Sequence, residues 1–270
     1  MKKGPARIYG VLGNPIGHSL SPAMHNAAFE AEGINSCYVA LESSDLKGSV
    51  VGMRALGIRG MSVTIPFKTE VMAYLDALDP LAEKIGAVNT IVNENGLLKG
   101  YNTDGSGAMK ALDAVIFPAG KRCVLVGAGG AARGVGFMAT KNGMNLTVSN
   151  RSEDRGGALA DFLKCPFVPL SKIGELDVDV LIQTTPVGMF PRENASPVPS
   201  DIFREGMVVM DAVYNPMETK MLKDARSRGC KIISGLEMFI HQGALQFQLW
   251  TGREAPLIVM RDVVTNALSI

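Results

Sequence analysis

A glycine-rich segment directly after a predicted buried strand has the residue types and spacing to bind a pyrophosphate. The strand is Cys123–Val126, and Gly127-Ala-Gly-Gly-Ala-Ala132 follows it at once. Gly127 permits a tight turn, Gly129 lets the backbone approach a phosphate, and the helix that begins there directs its free N–H groups at the negative charge. The motif tolerates an alanine, here Ala132, in place of its third glycine. We therefore predict a dinucleotide site, with a purely structural turn as the alternative.

Polar and basic residues at the end of the next strand predict which dinucleotide is bound. The predicted strand Leu146–Ser149 ends in Asn150-Arg151-Ser152, and Arg155 lies one helical turn later. Enzymes that use NAD place a carboxylate about 20 residues after the glycines, where it accepts a hydrogen bond from the ribose 2′-hydroxyl. Here Asn150 and Arg151 hold that position. Because a guanidinium can bind a 2′-phosphate through two parallel hydrogen bonds, we predict NADP(H) as the cofactor.

Beyond residue 120, short apolar runs rich in β-branched residues alternate with helical segments. This pattern predicts a parallel sheet covered by helices on both faces, a doubly wound fold. The cofactor is then expected at the C-terminal edge of the sheet, at its topological switch point. The predicted strands are Cys123–Val126, Leu146–Ser149, Pro166–Leu170, Val178–Thr184, Met207–Ala212 and Lys231–Ser234, and the predicted helices are Ala131–Asn142, Glu153–Lys164 and Glu218–Arg228.

The N-terminal part of the chain has a separate α/β pattern. Asn95-Gly96 lies between two strand candidates and is a strong signal for a hairpin turn. A helix over about 105–117 leads into the second half, and two helices form the C-terminal tail. The predicted strands are Ile8–Leu12, Cys37–Leu41, Gly60–Thr64, Ala87–Val92 and Leu97–Tyr101, and the predicted helices are Pro22–Glu32, Leu46–Leu56, Leu236–Trp250 and Leu257–Leu268.

Together these patterns predict an α/β protein with two lobes and a cleft between them. Residues 1–104 are expected to form an N-terminal α/β domain that binds the substrate and carries catalytic residues. Residues 105–235 are expected to form a doubly wound (Rossmann) NADP-binding domain. Residues 236–270 are expected to be C-terminal helices that return to the substrate domain.

Composition narrows the class of protein. Of the 270 residues, 47% are hydrophobic and 20% charged, which is typical of a globular domain. The formal net charge of +1 gives no electrostatic reason to expect nucleic acid or a membrane surface as a partner. The four cysteines are widely spaced and the three histidines are dispersed, so we expect neither disulfides nor a metal site. Free thiols are typical of a reducing compartment, so we expect the protein in the cytoplasm. We expect a small-molecule substrate and a monomer or homodimer.

Four polar segments of the N-terminal lobe lie where predicted strands end. Their order and spacing, together with the cofactor segments, closely resemble the shikimate dehydrogenase family over nearly the whole chain. The N-terminal segments are 13–22 (GNPIGHSLSP), 62–68 (SVTIPFK), 86–90 (GAVNT) and 101–105 (YNTDG), and the later matches are 127–133, 150–152, 184–188 (TTPVG), 211–216 and 235–243.

The resemblance implies an NADP-dependent oxidoreductase that interconverts 3-dehydroshikimate and shikimate in aromatic amino-acid (chorismate) biosynthesis. It also implies that Lys68 and Asp104 form the catalytic pair. Hydride transfer to a ketone leaves an alkoxide that needs a proton; Lys68 can donate it, while Asp104 can orient the substrate hydroxyl and the ammonium. The structural alternatives are a solvated Lys68 and an Asp104 that only caps the following helix.

By the same resemblance, further residues contact the substrate and the cofactor. Structural alternatives exist for Ser21 as a helix N-cap with Pro22 at N1, for Asn89 as a turn residue, for Gln242 on a polar helix face and for Met238 in the core. The substrate residues are Ser19 and Ser21 on the carboxylate, Thr64, Asn89 and Gln242 on ring hydroxyls, and Tyr214 nearby. The cofactor residues are Gly127, Ala128, Gly129, Gly130, Ala131, Asn150, Arg151, Ser152, Arg155, Thr185, Gly235 and Met238, the last beside the nicotinamide.

Other functions are compatible with parts of this pattern. A close variant would accept quinate, with relaxed use of NAD, although Arg151 and the missing acid argue against NAD. A non-catalytic NADP-responsive binding module would keep the glycines and Arg151, but it would not need Lys68 and Asp104. Another two-lobed enzyme, such as a folate dehydrogenase, has no feature here in its favour.

Overall fold

The computed structural model describes residues 5–269; residues 1–4 and 270, which fall inside the predicted domain ranges, lie outside the described residues. The chain divides into two compact units. The first contains the residues up to Thr103 together with those from Gln242 onward, and the second is Asp104–His241.

Across residues 5–269 the helices and strands follow each other in this order: β1 (Arg7–Gly13), α1 (Ser21–Ala31), β2 (Ser36–Glu42), α2 (Leu46–Ala55), β3 (Gly60–Val63), β4 (Ala77–Leu78), α3 (Pro80–Ile85), β5 (Thr90–Glu94), β6 (Leu97–Tyr101), α4 (Asp104–Asp113), β7 (Arg122–Val126), α5 (Gly130–Lys141), β8 (Asn145–Asn150), α6 (Glu153–Leu163), β9 (Phe167–Pro169), β10 (Val180–Gln183), β11 (Val208–Asp211), α7 (Lys220–Ser227), β12 (Lys231–Ile233), α8 (Gly235–Thr251) and α9 (Leu257–Leu268). Short 3-10 helices occur at Glu70–Tyr74, Leu170–Glu175 and Ser200–Ile202.

The first unit is built on a mixed sheet with the strand order β2-β1-β3-β5-β6-β4. The pairs β1/β2 and β1/β3 are parallel, whereas β5 runs antiparallel to both β3 and β6. The predicted hairpin is confirmed: Asn95 (φ 56°) and Gly96 (φ 96°) both have positive φ, as a two-residue type I′ turn requires. Strand β5 begins at Thr90 rather than at the predicted Ala87, because the residues before it bend and bond to two other segments.

The second unit is a parallel sheet with the strand order β12-β11-β10-β7-β8-β9. The chain runs outward from β7 on one side and from β10 on the other, so the switch point lies between these two strands. Along β7, Cys123 and Leu125 pack into one apolar cluster and Val124 and Val126 into another. Both faces of the sheet are therefore covered, and the predicted doubly wound fold is confirmed.

Another predicted helix end differs from the structure. The helix predicted over 105–117 is α4, which ends at Asp113. Phe117 is exposed and precedes Pro118, and a residue before proline is disfavoured in helical conformation. In the C-terminal tail, residues 236–241 group with the second unit, because Met238 packs into the core of that unit.

Candidate active site

Two buried amide side chains of the first unit meet at the start of β5. Asn89 is 2% exposed, and its Oδ1 accepts hydrogen bonds from the Thr103 backbone N–H (2.8 Å) and the Thr90 hydroxyl (2.8 Å). Its Nδ2 donates to Thr103 Oγ1 (2.9 Å) and to Gln242 Oε1 (3.5 Å). Asn89 lies in the bend before β5, Gln242 is buried rather than on an exposed polar helix face, and the structure brings the two side chains together.

The loop after β3 holds Thr64 and Lys68 by their backbones. The N–H of Thr64 donates to the carbonyl of Leu12 (2.9 Å), and the carbonyl of Lys68 accepts from the N–H of Val88 (2.7 Å). The second bond places the Lys68 backbone beside the residue that precedes Asn89. Thr64 and Lys68 are both half-buried. Lys68 is therefore not the fully solvated side chain that the structural alternative requires.

The serines at the start of α1 do not cap the helix. The helix begins at Ser21, the capping position belongs to Leu20, and no side chain bonds there. The interpretation of Ser21 as N-cap with Pro22 at N1 is therefore wrong, because the helix starts one residue earlier. Ser21 is buried, and its N–H donates to the half-buried Ser19 Oγ (3.3 Å).

In the second unit, Asp104 begins α4 and is 4% exposed. A carboxylate in the first turn of a helix is favoured by the partial positive charge of the exposed N–H groups. Tyr214 follows β11 and is half-buried, with its ring stacked on Phe239 at a centroid distance of 4.3 Å. Both side chains are therefore anchored in that unit.

The predicted pyrophosphate cradle follows β7 at the switch point. Gly127 has φ 122°, and a Cβ there would lie 2.5 Å from Thr184 Oγ1, so only glycine suits this turn. Thr184 in turn donates its hydroxyl to the Val126 carbonyl (2.8 Å), which ties the ends of β10 and β7 together. Gly129 caps α5, and a Cβ there would meet nothing within 4 Å. The space beside Gly129 at the helix N-terminus is therefore open, and Ala128, Gly130 and Ala131 adjoin it in the chain.

The predicted 2′-phosphate residues lie together at the end of β8. Asn150 Nδ2 donates to the carbonyl of Ser152 (2.9 Å), and Ser152 Oγ caps α6 by accepting from the N–H of Arg155 (3.5 Å). Arg151 and Arg155 are exposed, and no ion pair within residues 5–269 involves either of them. The donor set and its positive charge suit a phosphate monoester.

Three further predicted cofactor residues follow β10 and β12. Thr185 Oγ1 accepts from the Val187 N–H (3.3 Å), and the Thr185 carbonyl accepts from Gln183 Nε2 (2.9 Å). Gly235 is the first residue of α8 and lies against the backbone of Val213, so a Cβ on Gly235 would clash with the Val213 carbonyl. Met238 is buried in the core of the second unit, so the packing role that the sequence left open is present.

Sequence reasoning missed several buried polar residues that support these groups. In the second unit, the Asp211 carboxylate accepts from the Thr219 hydroxyl (2.7 Å), the Val213 N–H (2.9 Å) and Gln183 Nε2 (3.2 Å), and burial raises its pKa to about 7. The first unit contains a second buried group. Its members are Tyr38, Ser62, Thr90, Thr103 and Gln246. The one available signal was that Gln246 lies one helical turn after Gln242.

Within the described residues 5–269, no group of three or more histidine, cysteine, aspartate or glutamate side chains has an arrangement that could hold a metal ion. A search of the same residues finds no helix with the length and apolar character needed to cross a membrane.

Comparisons with known proteins find family models, curated relatives and solved structures that are similar to this chain. Two family models match the chain, described as the shikimate dehydrogenase substrate binding domain (residues 11–91) and the shikimate 5'-dehydrogenase C-terminal domain (residues 235–265). A curated shikimate dehydrogenase (NADP(+)) from Moorella thermoacetica is 49% identical across 98% of this chain and 95% of the relative. A crystal structure of a shikimate dehydrogenase in complex with NADP+ is similar with a TM-score of 0.93 and 42% identity, covering 97% of this chain and 96% of that one. A shikimate 5-dehydrogenase from Thermus thermophilus in complex with NADP(H) and shikimate has a TM-score of 0.90 and 39% identity, covering 97% and 100%.

Proposed function

The chain belongs to the shikimate dehydrogenase family, and we infer from this that it is an NADP-dependent oxidoreductase that interconverts 3-dehydroshikimate and shikimate. This reaction serves aromatic amino-acid (chorismate) biosynthesis. The observation that carries the substrate class is the buried contact of Asn89 with Gln242. Two amides in such a place select hydroxylated ligands, because a ligand that lacks the hydroxyl leaves a buried polar group unpaired.

Lys68 and Asp104 are the catalytic residues of the proposal. Bound NADPH supplies a hydride to the carbonyl carbon of the substrate. Lys68 donates the proton that the carbonyl oxygen needs to become a hydroxyl, and Asp104 accepts a hydrogen bond that holds the reacting hydroxyl. In the reverse direction the neutral amine of Lys68 takes up the alcohol proton and becomes the ammonium again. The half-buried position of Lys68 and the burial of Asp104 support these roles, since both groups are then partly shielded from water.

The remaining substrate contacts follow the chemistry of a hydroxylated ring acid. Ser19 and Ser21 bind the carboxylate through their hydroxyls. Thr64, Asn89 and Gln242 bind ring hydroxyls. Tyr214 contributes a further phenol near the substrate. Support comes from Ser21, which is buried without serving as a helix cap.

The cofactor is NADP(H), and its groups are assigned to the C-terminal edge of the parallel sheet. The segment from Gly127 through Ala128, Gly129 and Gly130 to Ala131 binds the pyrophosphate. Asn150, Arg151, Ser152 and Arg155 bind the 2′-phosphate. Thr185, Gly235 and Met238 lie along the nicotinamide half. The exposed guanidiniums of Arg151 and Arg155 support the preference for NADP over NAD.

We assign substrate binding and catalysis to residues 1–104, NADP binding to residues 105–235 and a supporting role to the helices of 236–270. Within residues 5–269 the four cysteines are free thiols, which supports a location in the reducing cytoplasm. A monomer or a homodimer is the expected state of assembly.

The direct test is the formation of NADPH by the wild-type protein with shikimate, measured beside quinate and beside NAD. Turnover that is fastest with shikimate and NADP supports the assignment. Faster turnover with quinate and NAD would overturn both the substrate and the cofactor preference.

A further inference from the structure

Three side chains of α8, each one helical turn after the last, contact consecutive residues at the start of β5. Gln242 contacts Asn89, Gln246 Nε2 donates to Thr90 Oγ1 (3.0 Å), and Trp250 Nε1 donates to the Ile91 carbonyl (3.0 Å). Residues four apart on a helix lie on one face, so this row aligns α8 along the strand. Gln246 is 2% exposed and has no role in the substrate and cofactor contacts proposed above.

Two backbone groups determine which way the amides of Asn89 and Gln246 face. The Thr103 N–H can only donate, so the Asn89 atom that it contacts at 2.8 Å must be the oxygen, Oδ1. The Asn89 carbonyl can only accept, so the Gln246 atom at 3.3 Å from it must be the nitrogen, Nε2. The oxygen of Gln246 therefore faces the Ser62 hydroxyl at 2.9 Å.

The hydroxyl protons of Tyr38, Ser62 and Thr90 then each have one direction. Ser62 must donate to Gln246 Oε1, so it accepts from the Tyr38 phenol at 2.7 Å. Burial raises the pKa of Tyr38, so the phenol remains a donor. Thr90 accepts from Gln246 Nε2, so its own proton goes to Asn89 Oδ1 at 2.8 Å. The chain of donors therefore ends on Asn89.

The consequence for Asn89 is a fixed orientation. Its Oδ1 accepts from Thr90 and from the Thr103 N–H and also lies 3.3 Å from the Thr103 hydroxyl, so its Nδ2 faces Thr103 Oγ1 and Gln242 Oε1. Without the Gln246 donor, the Thr90 hydroxyl can rotate its proton away from Asn89. The amide then loses one of the bonds that keep it from turning over in a buried site, where an unsatisfied group is costly.

We propose that Gln246 is a positioning residue for substrate recognition: acting through Thr90, it adds a second bond that holds Asn89 in the direction set by the Thr103 N–H, in which its amide is presented to a ring hydroxyl. This inference rests on the proposed function, because the contact of Asn89 with substrate is part of it. Tyr38 and Ser62 support Gln246 from the other side.

The test compares Gln246→Met, which keeps the length of the side chain and removes its amide, with Gln248→Met, an exposed position on the same helix. In Gln246→Met we expect the KM for shikimate to rise about tenfold, as for the loss of one hydrogen bond, with the KM for NADP unchanged. Monodeoxy analogues of shikimate supply the second readout. The preference of wild type for shikimate over the analogue that lacks the hydroxyl contacted by Asn89 should fall by a similar factor in Gln246→Met but not in Gln248→Met.

Thr90→Val removes the intermediate hydroxyl with little change of shape. If Gln246→Met is recovered unfolded, this variant tests the proposed path from Gln246 to Asn89 in its place. Because both residues act through one bond to Asn89, the double variant should lose no more preference than either single variant. Lower stability with unchanged KM and preference in Gln246→Met and Thr90→Val would overturn the inference, as would additive losses in the double variant.

Two controls separate this inference from the function on which it rests. Wild type that does not turn over shikimate would overturn the proposed function, and with it the role of Gln246. If wild type is active and Asn89→Ala loses its preference while Gln246→Met keeps it, the role of Gln246 alone is wrong.

Discussion

Asn89 Nδ2 donates to Gln242 Oε1 at 3.5 Å, although the two residues are 153 positions apart in the chain. The contact joins the bend before β5 to the last helix but one, and both side chains are buried. A buried amide pair is costly unless it is satisfied, so this position in the first unit is specified by polar chemistry rather than by apolar packing. In the proposed function this amide pair is the contact that selects a polyhydroxylated ring.

Replacing Gln242 by leucine should lower kcat/KM for shikimate by about 10- to 100-fold, because one buried hydrogen-bond partner is lost and Asn89 loses a neighbour. NADP affinity should not change. Steady-state kinetics with Gln248→Leu as the matched control on the same helix checks this. Equal losses of kcat/KM in both variants would mean that substitution anywhere on this helix lowers activity and that the Gln242 amide has no specific role.

Arg151→Ala should weaken NADP binding by about 10- to 100-fold, since it removes a charge-assisted hydrogen bond to the 2′-phosphate. The affinity for NAD, which has no such phosphate, should stay nearly constant. Equilibrium titration with both cofactors measures the two effects, and Arg228→Ala, an exposed arginine after α7, is the control. A parallel loss of both affinities would contradict the assignment of Arg151.

Alanine at two neighbouring glycines should have different effects. Gly127→Ala combines a positive φ with a Cβ only 2.5 Å from Thr184 Oγ1, so it should destabilise the fold by several kcal/mol, about the cost of strained backbone plus overpacking. Gly129→Ala meets no neighbour within 4 Å, so it should unfold like wild type yet bind NADP more weakly. Thermal unfolding and cofactor titration distinguish them. An unstable Gly129→Ala variant, or one with full NADP affinity, would contradict the assignment of residues 127–131 as the pyrophosphate site.

Stability should fall on acidification because of His25. This ring is buried, stacked on Tyr38 at 4.6 Å, and neither of its nitrogens has a partner with hydrogen-bond geometry. Burial lowers its pKa to about 3, and the nearby Gln246 side chain opposes this only weakly. Below the unfolded value of about 6.5, the unfolded state binds a proton that the folded state does not, so stability decreases as pH falls toward 3, by about 1.4 kcal/mol per pH unit.

The measurement is the difference in unfolding free energy between wild type and His25→Phe at pH 7.5 and at pH 5. Asp211 has a raised pKa and changes stability in the opposite sense over part of this range, but it is common to both proteins. We expect the difference to shift in favour of the variant at pH 5. An equal difference at both pH values would show that His25 is not kept neutral by burial.

Local chemistry made part of the fold predictable. Asn95-Gly96 specifies its own turn, and the β-branched runs around Gly127 specify buried parallel strands whose ends carry the residues predicted to bind the cofactor. The errors arose where local signals were ambiguous. Ser21-Pro22 has the composition of a cap and first residue, yet the helix starts at Ser21, because both registers satisfy the same preferences.

The supporting residues of the site could not be found in the same way. Gln246 acquires its role only when α8 lies along β5 and brings Ser62 and Thr90 within reach of one amide. In the sequence it is one more polar residue in a mostly apolar helix. Asp211 likewise has no local sign that its carboxylate will be buried among donors from Thr219 and Gln183. Such long-range polar contacts have no periodicity that a sequence pattern can show.

The most direct test of the central claim is the rate of shikimate-dependent NADP reduction in Lys68→Ala and Asp104→Asn, with NADP affinity measured in the same preparations. Lys110→Ala, an exposed lysine on α4, is the matched control. We predict that kcat falls by at least about 100-fold in both variants, the usual loss when a proton donor or its partner is removed, while NADP binding and the control are unaffected. Undiminished turnover in Lys68→Ala with intact NADP binding would contradict the account.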